Sequence, residues 1–87
     1  MITAHERSDL IHIMKMNRLS LTDSDSAQME FAGPINGKHY RVKILAVECS
    51  PQLIVTGGGE VLCNETMSSV DDLKIFLGER FYHYLAA

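Results

Sequence analysis

Turn-forming residues divide the middle of this 87-residue chain into short runs that favour strands. Glycine tolerates a positive backbone φ, and proline has no N–H for a sheet ladder, so clusters of these residues interrupt strands. The clusters are Gly33-Pro34-Ile35-Asn36-Gly37, Ser50-Pro51 and Gly57-Gly58-Gly59, and they separate the runs 28–32, 38–49, 52–56 and 60–64. This pattern predicts a four-stranded antiparallel meander.

The strand register follows from where the turns are placed. If Ser50-Pro51 is a two-residue turn, Val47 faces Ile54, and if the three glycines form the next loop, Val55 faces Val61. One face of the sheet then collects Val42, Ile44, Ala46, Leu53, Val55, Val61 and Cys63, and Met29, Phe31 and Tyr40 extend it. The opposite face carries a second apolar patch that comprises Leu45, Val47, Ile54 and Leu62.

A helix is predicted at each end of the chain. Val70, Leu73, Leu77, Phe81 and Tyr84 recur every three or four residues, which predicts a helix over 69–85 with one buried face. Thr3-x-x-Glu6 fits a capping box for a helix over 4–16, although partial alternation over 10–16 leaves a strand as the alternative. Residues 18–22 can add a short extended piece, and 23–26 read as a solvated turn.

These elements predict a single α+β domain over residues 1–87. It consists of an N-terminal helix, a four-stranded antiparallel meander sheet and a C-terminal helix packed on one sheet face. At this length there is no room for a second core.

Charge and composition exclude several classes of function. The net charge of −3 argues against a nucleic-acid binder that relies on phosphate neutralisation. We expect no membrane span, since charge-free runs stay short, and a cytoplasmic location, since the N-terminus lacks the basic-then-apolar order of a signal peptide. Two cysteines are too few for a disulfide scaffold.

Three local patterns suggest chemistry, and each has a simpler interpretation. Cys49 lies near a turn, but no neighbour in sequence supplies a base for nucleophilic catalysis. His5, Asp9 and His12 would share a helix face, where they could bind zinc or nickel, yet a polar helix face is the preferred interpretation. Gly57-Gly58-Gly59 precedes Glu60 and a strand, so it indicates a hairpin tip and not a phosphate loop. We therefore expect no cofactor and no metal, and the sequence leans away from an enzyme.

Arg41 and Lys43 form the centre of a basic cluster, with Lys38 and His39 beside them. Strand alternation points Arg41 and Lys43 to the same face, where they could bind a phosphate or an acidic partner. The alternative is a solvated outer sheet face.

The second apolar patch, formed by Leu45, Val47, Ile54 and Leu62, requires a cover. Either the N-terminal helix packs on it or it meets a partner, including a second copy of the chain. Tyr82 is a further candidate for contact. The leading hypothesis is a small protein-binding or regulatory module that self-associates or docks on another protein. The alternative is a small-molecule or anion-binding domain with a pocket between sheet and helices, anchored by Arg41 or Lys43. An enzyme that uses Cys49 ranks third.

Overall fold

The computed structural model describes residues 2–47, 50–81 and 85, without the side chain of Val47. The elements are α1 (Ala4–Met16), β1 (Ser20–Ser24), β2 (Gln28–Ile35), β3 (Lys38–Val47), β4 (Ser50–Gly57), β5 (Glu60–Thr66) and α2 (Val70–Glu79). The five strands form one open sheet in the order β1-β2-β3-β4-β5, with every neighbouring pair antiparallel. The α+β class and the meander are confirmed.

The prediction of four strands is wrong, because a fifth strand, β1, joins the end of the extended piece predicted over 18–22 to the start of the turn predicted over 23–26. This strand pairs Ser20 with Ala32 and Ser24 with Met29, and its register shifts between Leu21 and Asp23. It is an edge strand whose residues are mostly exposed. It therefore lacks the apolar alternation that reveals a half-buried strand in a sequence.

The first hairpin turn is shorter than predicted. β2 continues through Pro34 to the buried Ile35, and only Asn36 and Gly37 form the turn, with φ of 53° and 81°. Gly58 and Gly59 form an equivalent turn with φ of 61° and 83°, while Gly57 ends β4. Positive φ at both central residues matches the twist of a two-residue hairpin.

The turn between β3 and β4 also lies earlier than predicted. Val47 pairs with Ser50 and Lys43 pairs with Ile54, so Ser50 and Pro51 belong to β4. Proline has no N–H to donate, but this costs no hydrogen bond between β3 and β4 at Pro51. Its partner Ala46 donates its N–H away from β4, to Ala27 O, and the Pro51 carbonyl accepts from Met67 N on the other side. The register is shifted by an even number of residues, which leaves the face assignments of β3 and β4 unchanged.

A bulge between β4 and β5 does change a face assignment. Cys63 pairs with Val55 but Val61 pairs with Thr56, so the ladder gains one residue on β5. Val61, predicted to be in the core, is therefore 64% exposed. Leu62, predicted on the opposite face, packs against the core instead.

Both helices pack on the same sheet face. α1 begins with the predicted capping box between Thr3 and Glu6, and α2 is capped by Ser69, whose side chain accepts from Asp72 N. Helix α2 ends at Glu79, with the weak helix former Gly78 in its last turn. Arg80 interrupts the helix predicted over 69–85, and Phe81 and Leu85 are again helical. The common core contains the fully buried residues Leu10, Met14, Met29, Phe31, Val42, Ile44, Leu53, Val55, Leu73, Leu77 and Phe81.

Candidate functional site

The sheet face turned away from α1 and α2 is the candidate functional surface. On β2, β3 and β4 the residues between the core positions point to it. We call this surface the open face, and it comprises Gln28, Glu30, Ala32, Arg41, Lys43, Leu45, Gln52, Ile54 and Thr56. The N-terminal helix packs against α2 and β1 with Leu10 and Met14 in the core. The N-terminal helix therefore does not cover the second apolar patch.

A groove of about 200 Å³ lies at the centre of the open face. Its lining residues are Glu30, Arg41, Lys43, Ile54 and Thr56. The register places them together, because Lys43 pairs with both Glu30 and Ile54, and Arg41 pairs with Thr56. Three adjacent strands thus supply a carboxylate, two cations, a hydroxyl and an apolar side chain to one small volume.

The ion pairing within the groove is incomplete. Arg41 Nη1 lies 4.0 Å from Glu30 Oε1, and the Arg41 side chain is 63% exposed. Lys43 has no ion-pair partner within residues 2–47, 50–81 and 85. The groove therefore carries one positive charge in excess, since its two cations face a single carboxylate.

The second apolar patch is smaller than the sequence predicts. Leu45 and Ile54 lie on the open face and are half-buried. Leu62 has moved to the core face through the bulge. The backbone of Val47, at the end of β3, pairs with Ser50 in β4. The side chain of Val47 and the whole of Tyr82 lie outside the described residues. The open face is consequently mixed in character, not uniformly apolar.

The cysteines and the possible metal ligands do not form a reactive site in the described part of the chain. Burial raises the pKa of the half-buried Cys63 thiol, which favours the unreactive protonated form. Cys49 lies outside the described residues. In the described part of the chain, no group of three or more His, Cys, Asp or Glu side chains is arranged to hold a metal ion.

Asp9, from the His5, Asp9 and His12 set considered as a metal site, contacts the other helix. Asp9 Oδ2 lies 3.5 Å from His5 Nε2, but it also accepts a hydrogen bond from Lys74 Nζ at 3.2 Å. That hydrogen bond raises the pKa of Lys74. The carboxylate therefore links α1 to α2.

Arg41 and Lys43 were found by sequence reasoning, but Glu30 and Thr56 were not. The alternation of Met29 and Phe31 does place Glu30 on the outer face. Bringing it next to Arg41 requires the register of β2 against β3, which depends on the short turn at Asn36 and Gly37.

Comparisons of this chain with protein-family models, with curated proteins and with solved structures found no match. None of the helices in the described part of the chain combines the length and apolar character needed to cross a bilayer. Any assignment of function therefore rests on the chain's own residues.

Proposed function

We propose that this chain is a non-enzymatic protein-binding domain that docks a partner protein on its open face. The observation that carries the proposal is the groove beside Ile54, where apolar and cationic side chains meet on a surface that neither α1 nor α2 covers. Protein interfaces combine an apolar centre with arginine and a polar rim. Leu45, Ile54 and Arg41 provide that combination.

The size of the open face indicates a transient partner. Strands about 4.8 Å apart and same-face residues about 7 Å apart give three strands an area of only a few hundred Å². Stable complexes bury about 800 Å² on each partner. A partner that contacts the open face alone would bind weakly, and a tighter one would also contact the rim of the sheet.

A small organic or inorganic anion is the second candidate ligand. It is favoured by Lys43, which has no ion-pair partner in the described part of the chain. The groove lies on the open face, whereas the sequence suggested a pocket between sheet and helices. A small anion would use Arg41 and Lys43 but would gain little from Leu45.

The experiment compares partner capture by the wild-type chain, by Ile54→Glu and by Ile75→Glu. Ile75 is 54% exposed on α2, so it provides the same substitution on the opposite side of the molecule. We expect the wild type and Ile75→Glu to retain the same protein from extracts of the source cells, and Ile54→Glu to lose it.

Both variants must unfold at a similar denaturant concentration to the wild type for the comparison to hold. Equal retention by all three proteins would contradict docking on the open face. Loss with Ile75→Glu alone would move the binding surface to the helices.

A further inference from the structure

We infer that the docked segment presents a carboxylate to Arg41 and Lys43 and, next to it, an apolar side chain to Ile54. The inference rests on the proposed docking at the open face and specifies the chemistry of the occupant. It follows from the arrangement of charge and apolar surface within the groove.

Charge complementarity identifies the first feature of the occupant. The groove holds two cations and one carboxylate, and Glu30 reaches Arg41 only at 4.0 Å. Asp23 pairs with Glu30 across β1 and β2, so the acidic side of the surface lies toward β1. An incoming carboxylate is repelled from that side and is attracted to the side of the groove formed by β3 and β4, where Arg41 and Lys43 lie.

Register identifies the second feature. Ile54 lies directly opposite Lys43, and directly paired residues have Cβ atoms about 4.5–5.5 Å apart. Leu45 follows Lys43 by two positions on the same face. An extended segment with an acidic and an apolar residue two positions apart places both on one side, about 7 Å apart. This matches the separation of Lys43 and Leu45 along β3, and Ile54 lies beside that pair on β4.

A second copy of the chain fits the groove less well. If two open faces stacked on each other, each would bring its own Arg41 and Lys43 to the interface. Like charges in an interface are unfavourable. An acidic segment of another protein has no such penalty.

The test measures the affinity of a synthetic peptide of alternating glutamate and leucine, with a matched peptide in which glutamine replaces every glutamate. We expect the glutamate peptide to bind more tightly, and its affinity to fall as salt is added, because the site is exposed. Arg41→Gln and Lys43→Gln should each weaken binding by about 2- to 5-fold. Lys15→Gln, in the last turn of α1, is the control and should leave the affinity unchanged.

The contrary results are distinct. Equal affinity for both peptides, or unchanged affinity in Arg41→Gln and Lys43→Gln, would overturn the carboxylate assignment. Free glutamate or inorganic phosphate binding as tightly as the peptide would assign the groove to small anions. A dimer in light scattering that Ile54→Glu abolishes would make a second copy the occupant.

The two proposals fail in different ways. If partner capture is lost in Ile54→Glu but survives in Arg41→Gln and Lys43→Gln, docking on the open face stands and the carboxylate assignment falls. If capture survives in all three variants, both proposals fall.

Discussion

At the scale of single residues, Asn17 joins the two helices. It is 5% exposed, and its Nδ2 donates to Ile13 O at 3.1 Å and to Leu77 O at 3.0 Å. The same residue ends α1, where its backbone N–H also donates to Ile13 O. One buried amide thus caps the first helix and ties it to the second.

Asn17→Ala should lower the free energy of unfolding by about 1–2 kcal/mol, because both carbonyls lose a buried donor. Urea denaturation at neutral pH measures this change. Asn64→Ala is the control, since Asn64 is exposed and its Oδ1 accepts from Gln52 Nε2 at the surface. A loss no larger than that of the control would contradict the proposed link between the helices.

Two glycines should respond in opposite directions to the same change. A Cβ on Gly33 would lie 2.5 Å from the backbone oxygen of Arg18, whereas one on Gly78 meets nothing within 4 Å. Gly33→Ala should destabilise the fold by about 1–3 kcal/mol through overpacking. Gly78→Ala should stabilise it by about 0.5–1 kcal/mol, because alanine is the better helix former.

Thermal or urea unfolding of the two glycine variants measures both changes. A stabilised Gly33→Ala would contradict the close approach of β2 to Arg18. A destabilised Gly78→Ala would contradict the exposed helical position of Gly78 in α2.

At the scale of elements, the capping box makes α1 sensitive to pH. Thr3 N donates to Glu6 Oε1 at 3.0 Å, and this backbone hydrogen bond lowers the pKa of Glu6 below its ordinary value of 4.5. A carboxyl group with a lowered folded-state pKa stabilises the fold fully above about 4.5, and this contribution disappears as the pH falls through the folded value.

The free energy of unfolding of Glu6→Gln should therefore fall furthest below that of the wild type at neutral pH, and the two values should converge in acid. Denaturant unfolding of both proteins at several pH values measures this difference in stability. Glu79→Gln, at the exposed end of α2, is the control. A difference that grows as the pH falls would contradict the capping role of Glu6.

The elements differ in how far the sequence reveals them. The alternation of β2, β3 and β4 and the helical periods identify the core, because burial imposes a regular pattern on those segments. The edge strand β1 buries little, so it leaves no such pattern. The bulge opposite Thr56 depends on two strands together, and for that reason Val61 and Leu62 were assigned to the wrong faces.

The candidate site was predictable only in part for the same reason. Arg41 and Lys43 follow from alternation within one strand. Their neighbours Glu30 and Thr56 come from adjacent strands. The β2–β3 register depends on a turn that is shorter than predicted, and the β3–β4 register depends on a turn that lies earlier than predicted. Leu62 packs against the core and not in the predicted apolar patch, so the open face is a mixed apolar and basic surface.

At the scale of the whole molecule, the two-layer arrangement leaves one side of the sheet uncovered by α1 and α2. Because like charges oppose self-stacking of the open face, we expect a monomer of 9.7 kDa in solution. Light scattering across micromolar concentrations measures the mass. About twice that value, reduced by Ile54→Glu, would instead show that a second copy covers the sheet.

The exposure of the open face can be measured directly in the free protein. A neutral gadolinium chelate broadens the NMR signals of methyl groups that it can approach. The methyl groups of Leu45 and Ile54 should broaden strongly, while those of Ile44 and Leu53, both 0% exposed on the helix-covered face, should stay sharp. If Ile54 is as protected as Ile44, the sheet has no open face and the docking proposal fails.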